Sequence, residues 1–243
     1  MEHRFLLPND LQGVIFQYLP IDRLKQLHWV LRLPVCYEWH FWAERAYHDF
    51  GFPVFLFRQT ETKFPEQRHS EIRAYQRDLN ASLKEEARSG RVEVIEYLIK
   101  RGATKLDRPL REAAASGHLE AVECLVEHGA NNLFEALWSA AMHDRVSVVK
   151  YLLDREMFDL AQLNGALTEA VDSGSAGAVQ LLVHHGATDL DYALLGMAAK
   201  GKLDAVKYLI NQGARDLVAA RRAAEGRDQL EVTAYLKTLT GHQ

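Results

Sequence analysis

Six fifteen-residue blocks in the C-terminal part of this chain can be laid over one another, and the distance between them hardly varies. They are SGRVEVIEYLIKRGA (89–103), SGHLEAVECLVEHGA (116–130), HDRVSVVKYLLDREM (143–157), SGSAGAVQLLVHHGA (173–187), KGKLDAVKYLINQGA (200–214) and a degraded copy, RDQLEVTAYLKTLTG (227–241). One turn position recurs at Gly90, Gly117, Asp144, Gly174, Gly201 and Asp228, at steps of 27, 27, 30, 27 and 27 residues. Self-similarity this regular restricts the chain to a solenoid of stacked units. A unit of this size holds a short Ala-rich helix such as LREAAAS (110–116), a Gly-centred turn and a longer helix. Leu119, Val122, Leu125 and Val126 fall on one stripe of the longer helix. A lone helix pair cannot bury both of its apolar faces, so the units must stack.

A second glycine closes four of the units, at Gly102, Gly129, Gly186 and Gly213, where a helix C-terminus favours a left-handed residue. Glu156 stands there in the third unit, so that unit is expected to end its helix differently. Arg221-Arg222-Ala223-Ala224-Glu225-Gly226 fits the first-helix pattern only with a one-residue slip, leaving either six units or five and a cap.

The same alignment decides a chemical question. GHLEAVECLVEH (117–128) crowds His118, Glu120, Glu123, Cys124, Glu127 and His128 together, residue types that bind zinc or act as nucleophile and base. Cys124, however, aligns with Tyr97, Tyr151, Leu181, Tyr208 and Tyr235, a packing position, while His118 lies in the turn. The stretch reads as scaffold. His184-His185 reads in the same way as a solvated or dipole-stabilised pair at a helix end rather than a metal site.

The repeats resemble ankyrin repeats from residue 83 to about 240, through the G-H-L-E-x-V turn and helix, the closing G-A, and Leu110 with Ala113-Ala114 at the start of the first helix. The usual period of about 33 residues is shortened, and only Pro109-Leu110 is left of the usual T-P-L-H. With TKLDRP (104–109) joining one unit to the next, the resemblance implies that the projecting hairpin fingers are reduced to short loops and that binding shifts to the concave first-helix face. Repeats of this length resemble those of large amoeba-infecting DNA viruses and, more loosely, of effectors from intracellular bacteria. On that face the positions that vary between repeats are the candidates for holding a target: Arg88, Trp138, Met142, His143, Asp172 and Lys200. Trp138 stands where other repeats carry Lys84, Arg111, Thr168 and Leu195, as an interface anchor or as a filler of the irregular third repeat.

The first part of the chain differs in composition. Eight of ten phenylalanines, three of four tryptophans and five of six prolines precede residue 66. LLPNDLQGVIFQYLPIDRLKQL (6–27) has a helix start at Leu7-Pro8 with Asn9 or Asp10 as cap, then an apolar face of Leu11, Val14, Ile15, Tyr18 and Leu19. Pro20 ends that helix, and Asp22 can cap a second one carrying Leu24 and Leu27. With Val35-Cys36-x-x-Trp39 this resembles an F-box, although Asp22 and Val35 are further apart than usual. The resemblance implies a three-helix module over 1–51 that docks the Skp adaptor of a cullin–RING ubiquitin ligase through Leu7, Pro8, Leu11, Ile15, Phe16, Leu19, Leu24, Val35 and Trp39. It also implies that the repeats behind the module hold a substrate. The alternative is that these helices cap the solenoid, which then acts as an interaction scaffold that sequesters a partner. Residues 52–82 are expected to be a partly helical connector, with Ile72, Tyr75 and Leu79 on one helical face.

The expected fold is therefore all-α. The net charge of -4 offers no broad basic field for nucleic acid. Two cysteines, Cys36 and Cys124, make no disulfide framework, which fits the cytoplasm or nucleus (host cytoplasm for a viral or effector protein). No run approaches the roughly 18 apolar residues of a membrane span. With no phosphate-cradling loop, no H-E-x-x-H and no placed nucleophile, the chain is expected to be no enzyme, to need no cofactor or metal, and to be monomeric in isolation.

Overall fold

The computed structural model describes residues 78–241, and within them every regular element is a helix. Twelve follow one another as six pairs: α1 (Leu79–Ser89) with α2 (Val92–Lys100), α3 (Asp107–Ser116) with α4 (Leu119–Glu127), α5 (Leu133–Met142) with α6 (Val146–Arg155), α7 (Leu160–Ser173) with α8 (Ala176–His184), α9 (Leu190–Ala199) with α10 (Leu203–Asn211), and α11 (Leu217–Glu225) with α12 (Leu230–Thr240). α3, α5, α7, α9 and α11 pack side by side as one layer, and the even-numbered helices form the second. The core between the layers is aliphatic and regular. Leu110, Leu137, Leu167 and Leu194 are fully buried at equivalent positions of the first helices, facing Val122, Val149, Val179 and Val206 from the second.

The turn inside each pair shows why the aligned position is so restricted. Gly90, Gly117, Gly174 and Gly201 all have positive φ, and at Gly90 a Cβ would meet the His118 ring of the next repeat at 2.6 Å. Asp144 and Asp228 take the same left-handed conformation, with φ of 53° and 55°. Asp144 gains something in return: its Oδ1 accepts from the Ala178 amide at 2.8 Å, so a turn of the third repeat caps α8 of the fourth. Asp144→Ala loses both the cap and the side chain best suited to this conformation. Asp144→Gly loses only the cap. The alanine variant is expected to be less stable than the glycine variant by about 1 kcal/mol, measured as a difference in urea midpoints at equal slope.

The links between pairs run for only a few residues and contain no strand, so the fingers are indeed reduced to loops. α3 begins at Asp107, three residues before the expected LREAAAS; Pro109 falls inside the first turn, where a missing amide hydrogen costs nothing. Across the links a polar clasp recurs. Asp107 Oδ1 accepts from the amides of Asn131 and Asn132, Asn164 Oδ1 accepts from Thr188, and Asp191 Oδ1 accepts from Arg215 and Asp216. These bonds hold the Asp191 carboxyl below its usual range.

The third unit does end differently. Glu156 is extended, with φ -128° and ψ 140°. Asp159 and Gln162 then form a reciprocal capping box, and the three inserted residues lengthen α7 to 14 residues. Phe134 takes the clasp position of this repeat; its ring edge lies 3.8 Å from where a Cβ on Gly165 would be.

The last pair keeps the repeat frame without the expected slip. Ala220 and Ala224 are buried like Ala193 and Met197, but Arg221 and Glu225 replace the buried Leu194 and Ala198 of the pair before. Arg221 Nη1 donates to Thr240 Oγ1 at 2.9 Å, and Lys237 lies 3.2 Å from Glu225. A terminal unit with a polar outer side is what the end of an array requires.

Candidate interaction surface

The exposed side of the first-helix layer is built from equivalent positions that the core does not claim. One row reads Lys84, Arg111, Trp138, Thr168, Leu195 and Arg222 across α1, α3, α5, α7, α9 and α11. In its middle lie four large apolar side chains that remain well exposed: Trp138 at 37% and Met142 at 37% on α5, Tyr192 at 43% and Leu195 at 41% on α9. In the same repeat Phe134 is half-buried. Clustered exposed aromatic and aliphatic groups are the usual anchors of protein interfaces.

The other expected target-binding residues surround these anchors. Arg88 is exposed near the end of α1. His143 follows Met142 as the C-terminal cap residue of α5, with Nδ1 2.9 Å from the Ser139 carbonyl oxygen, so this nitrogen is the protonated donor. Asp172 accepts from the Tyr192 hydroxyl at 2.8 Å, and that bond, with the charge behind it, raises the Tyr192 pKa. Lys200 caps α9, and its aliphatic chain lies over Gly174 together with that of Lys202. Tyr192 and Leu195 were not among the sequence candidates. The criterion that singled out Trp138, a large apolar group at a variable first-helix position, applies to them equally. The nine adaptor-contact candidates, Leu7 to Trp39, lie outside the described residues.

The His/Cys/Glu stretch of the second repeat has a different character. Cys124 is buried, and burial pushes its thiol from an ordinary 9.0 up to about 11, reinforced by Glu96 and Glu127. His128 Nδ1 sits 2.8 Å from the Cys124 carbonyl oxygen and 3.8 Å from its sulfur. Because that oxygen can only accept, Nδ1 carries the ring proton and has no lone pair with which to take the proton of the thiol. At pH 8 the native thiol is expected to react with iodoacetamide at least tenfold more slowly than in the urea-unfolded chain, followed by mass mapping of the Cys124 peptide. The raised pKa makes the folded state hold its proton more tightly, so this contribution to stability is complete below pH 9.0 and declines as pH rises towards about 11. His185 Nε2 approaches Asp154 at 3.8 Å, edge-on to His184. Among the described residues no group of three or more His, Cys, Asp or Glu could hold a metal ion, and no helix is long and apolar enough to cross a membrane.

Comparison with known proteins identifies the architecture. A family model for ankyrin repeats, in three copies, matches residues 83–164 and 110–193. The crystal structure of the human ASB11 ankyrin repeat domain superposes with a TM-score of 0.55 at 23% identity, covering 64% of this chain and 82% of that one. The ankyrin repeat domain of Bcl-3, described as a unique member of the IkappaB protein family, superposes with a TM-score of 0.50 at 24% identity, covering 63% of this chain and 83% of that one. No curated protein sequence is significantly similar to it.

Proposed function

We propose that this chain, whose residues 83–193 are ankyrin repeats, is a non-catalytic recognition protein that holds a partner protein on its first-helix face and presents it, through an F-box-like N-terminal module, to a cullin–RING ubiquitin ligase. The observation that carries the recognition half is the exposure of Trp138 and Met142 on α5 and of Tyr192 and Leu195 on α9, in a layer whose Leu110, Leu137, Leu167 and Leu194 are fully buried. With the fingers reduced to loops, this face is built from the exposed sides of consecutive first helices. The reading of residues 6–40 as the adaptor-binding part is supported by their resemblance to the F-box, in Leu7-Pro8-x-Asp10-Leu11, Ile15-Phe16, Leu19 and Val35-Cys36-x-x-Trp39. An amphipathic helix pair that leaves part of its apolar surface uncovered is suited to docking another protein. Such a receptor supplies no reacting group; it raises the local concentration of the target near the charged ubiquitin carrier.

Isothermal titration of the Skp adaptor with the full chain tests the ligase half. Binding tighter than about 1 μM, roughly 8 kcal/mol, that Leu7→Ala/Pro8→Ala weakens at least tenfold is the expected result. A folded chain that does not bind the adaptor removes the ligase role and leaves a scaffold that sequesters its partner, a reading favoured by the fact that the apolar face needs no ligase to hold a target.

A further inference from the structure

The exposed face carries a polarity that specifies its partner more closely. On α9 the order towards the helix C-terminus is Tyr192, Leu195, then Lys200 and Lys202 in the turn. On α5 it is Trp138, Met142, then Arg145 in the turn. Two helices, with α7 between them, thus present apolar groups along their length and cations at the same edge, about 12 Å from the first apolar residue on α9. Arg227, equivalent to Lys200, continues the edge into the last pair.

These cations are not balanced within the array. Among the described residues no carboxylate lies within ion-pair distance of Lys200, Lys202 or Arg227. Asp204, two residues from Lys202, makes no ion pair with it, and three other acids are turned to other tasks. Asp172 accepts from the Tyr192 hydroxyl and Asp144 from the Ala178 amide, while Glu225 lies against Lys237. Asp228 also stands at this edge. Lys200 and Lys202 both run over Gly174, their side-chain carbons 2.9 Å and 3.9 Å from the position of its absent Cβ. Helix C-termini make this edge tolerable in the free protein.

We infer that the first-helix face binds an acidic, apolar-anchored protein segment: large apolar side chains seated on Trp138, Met142, Tyr192 and Leu195, and carboxylates set to one side against Arg145, Lys200, Lys202 and Arg227. The inference rests on the reading of this face as the recognition surface and is independent of the ligase. Protein is favoured over nucleic acid because the cations border an apolar cluster instead of forming a continuous basic track.

The test is selection from a random-peptide phage library on the full chain, with binding of the synthetic consensus peptide then measured on variants. The expected consensus pairs a large apolar residue with two or more Asp or Glu. Trp138→Ala/Leu195→Ala is expected to weaken it at least tenfold, as is Lys200→Glu/Lys202→Glu, with unchanged circular dichroism and Tm. Lys200→Gln/Lys202→Gln, a milder change at exposed positions, should give a smaller loss in the same direction if the reversal disturbs the fold. Peptides that need Trp138 and Leu195 but lack acids and ignore both lysine variants overturn the acidic class and leave the recognition face standing. Peptides that bind the Trp138→Ala/Leu195→Ala chain as well as the wild type overturn both. A random single-stranded oligonucleotide that binds at physiological salt, and is lost on lysine reversal, also overturns the proposal.

Discussion

Leu137→Ala is expected to lower the stability of the repeat array by about 2–5 kcal/mol and to split its urea unfolding into two transitions. Leu137 is fully buried on α5, which packs against α3 and α7 in its own layer and against α6 and α8 in the other. Removing three carbons there leaves a cavity at a junction that both halves of the array use. In a linear array each unit is held by its own folding and by the interfaces with its two neighbours. A cavity in the middle therefore weakens the coupling between the first two pairs and the last three, besides weakening the third pair itself. The control is Leu236→Ala on α12, equally buried but at the end, where one interface is affected and the pair can fray alone. It should lower the slope of a single transition at smaller cost. Equilibrium unfolding followed by circular dichroism separates the cases. Equal cost and equal cooperativity for the two variants would show that the array unfolds as a unit and that the nearest-neighbour description does not apply.

Much of this architecture was legible in the repeats themselves, and the limits of that legibility have a physical cause. The turn glycines could be located because a left-handed residue next to a neighbouring side chain tolerates almost nothing else, as His118 over Gly90 shows. The different ending of the third unit followed from Glu156 standing where the others carry glycine. What was not legible involves side chains acting between units. The clasp from Asp191 to the Arg215 and Asp216 amides spans 24 and 25 residues, and nothing local to an aspartate says which amide it will meet. The destination of the three inserted residues was hidden for a similar reason: only the capping box of Asp159 with Gln162 shows that they extend α7 instead of enlarging the loop. For the candidate surface, the variable first-helix positions were the right place to look, and Trp138 was found there. Tyr192 and Leu195 meet the same description and were legible in the same way, whereas the bond from Tyr192 to Asp172 on the neighbouring helix was not.

Gly196→Ala should destabilise the array by about 1–3 kcal/mol, against the ordinary expectation for a helix. Inside a helix, glycine to alanine usually gains about 1 kcal/mol. Gly196 has an ordinary helical φ, so nothing in its backbone requires glycine. The requirement comes from α7: a Cβ at this position would lie 2.2 Å from Val171 Cγ1. Val171 is itself an exception, since the equivalent positions hold Ala87, Ala114, Ala141 and Ala198. The larger residue on one first helix has been accommodated by the absence of a side chain on the next, where the equivalent positions of α9 and α11 hold two alanines, Ala198 and Ala223. The proof is a double-mutant cycle. Val171→Ala alone should cost about 1–2 kcal/mol through the cavity it opens, whereas Val171→Ala/Gly196→Ala reproduces the pair that α9 and α11 carry at the same positions, Ala198 with Ala223, and should be at least as stable as the wild type. A coupling energy near zero, with both single costs simply adding, would mean that the helices shift to absorb the new methyl group and that Gly196 is there for some reason other than Val171. A large compensating term would establish that the spacing of α7 and α9 is set by this one contact, and with it the distance between Trp138 and Leu195 across the exposed face.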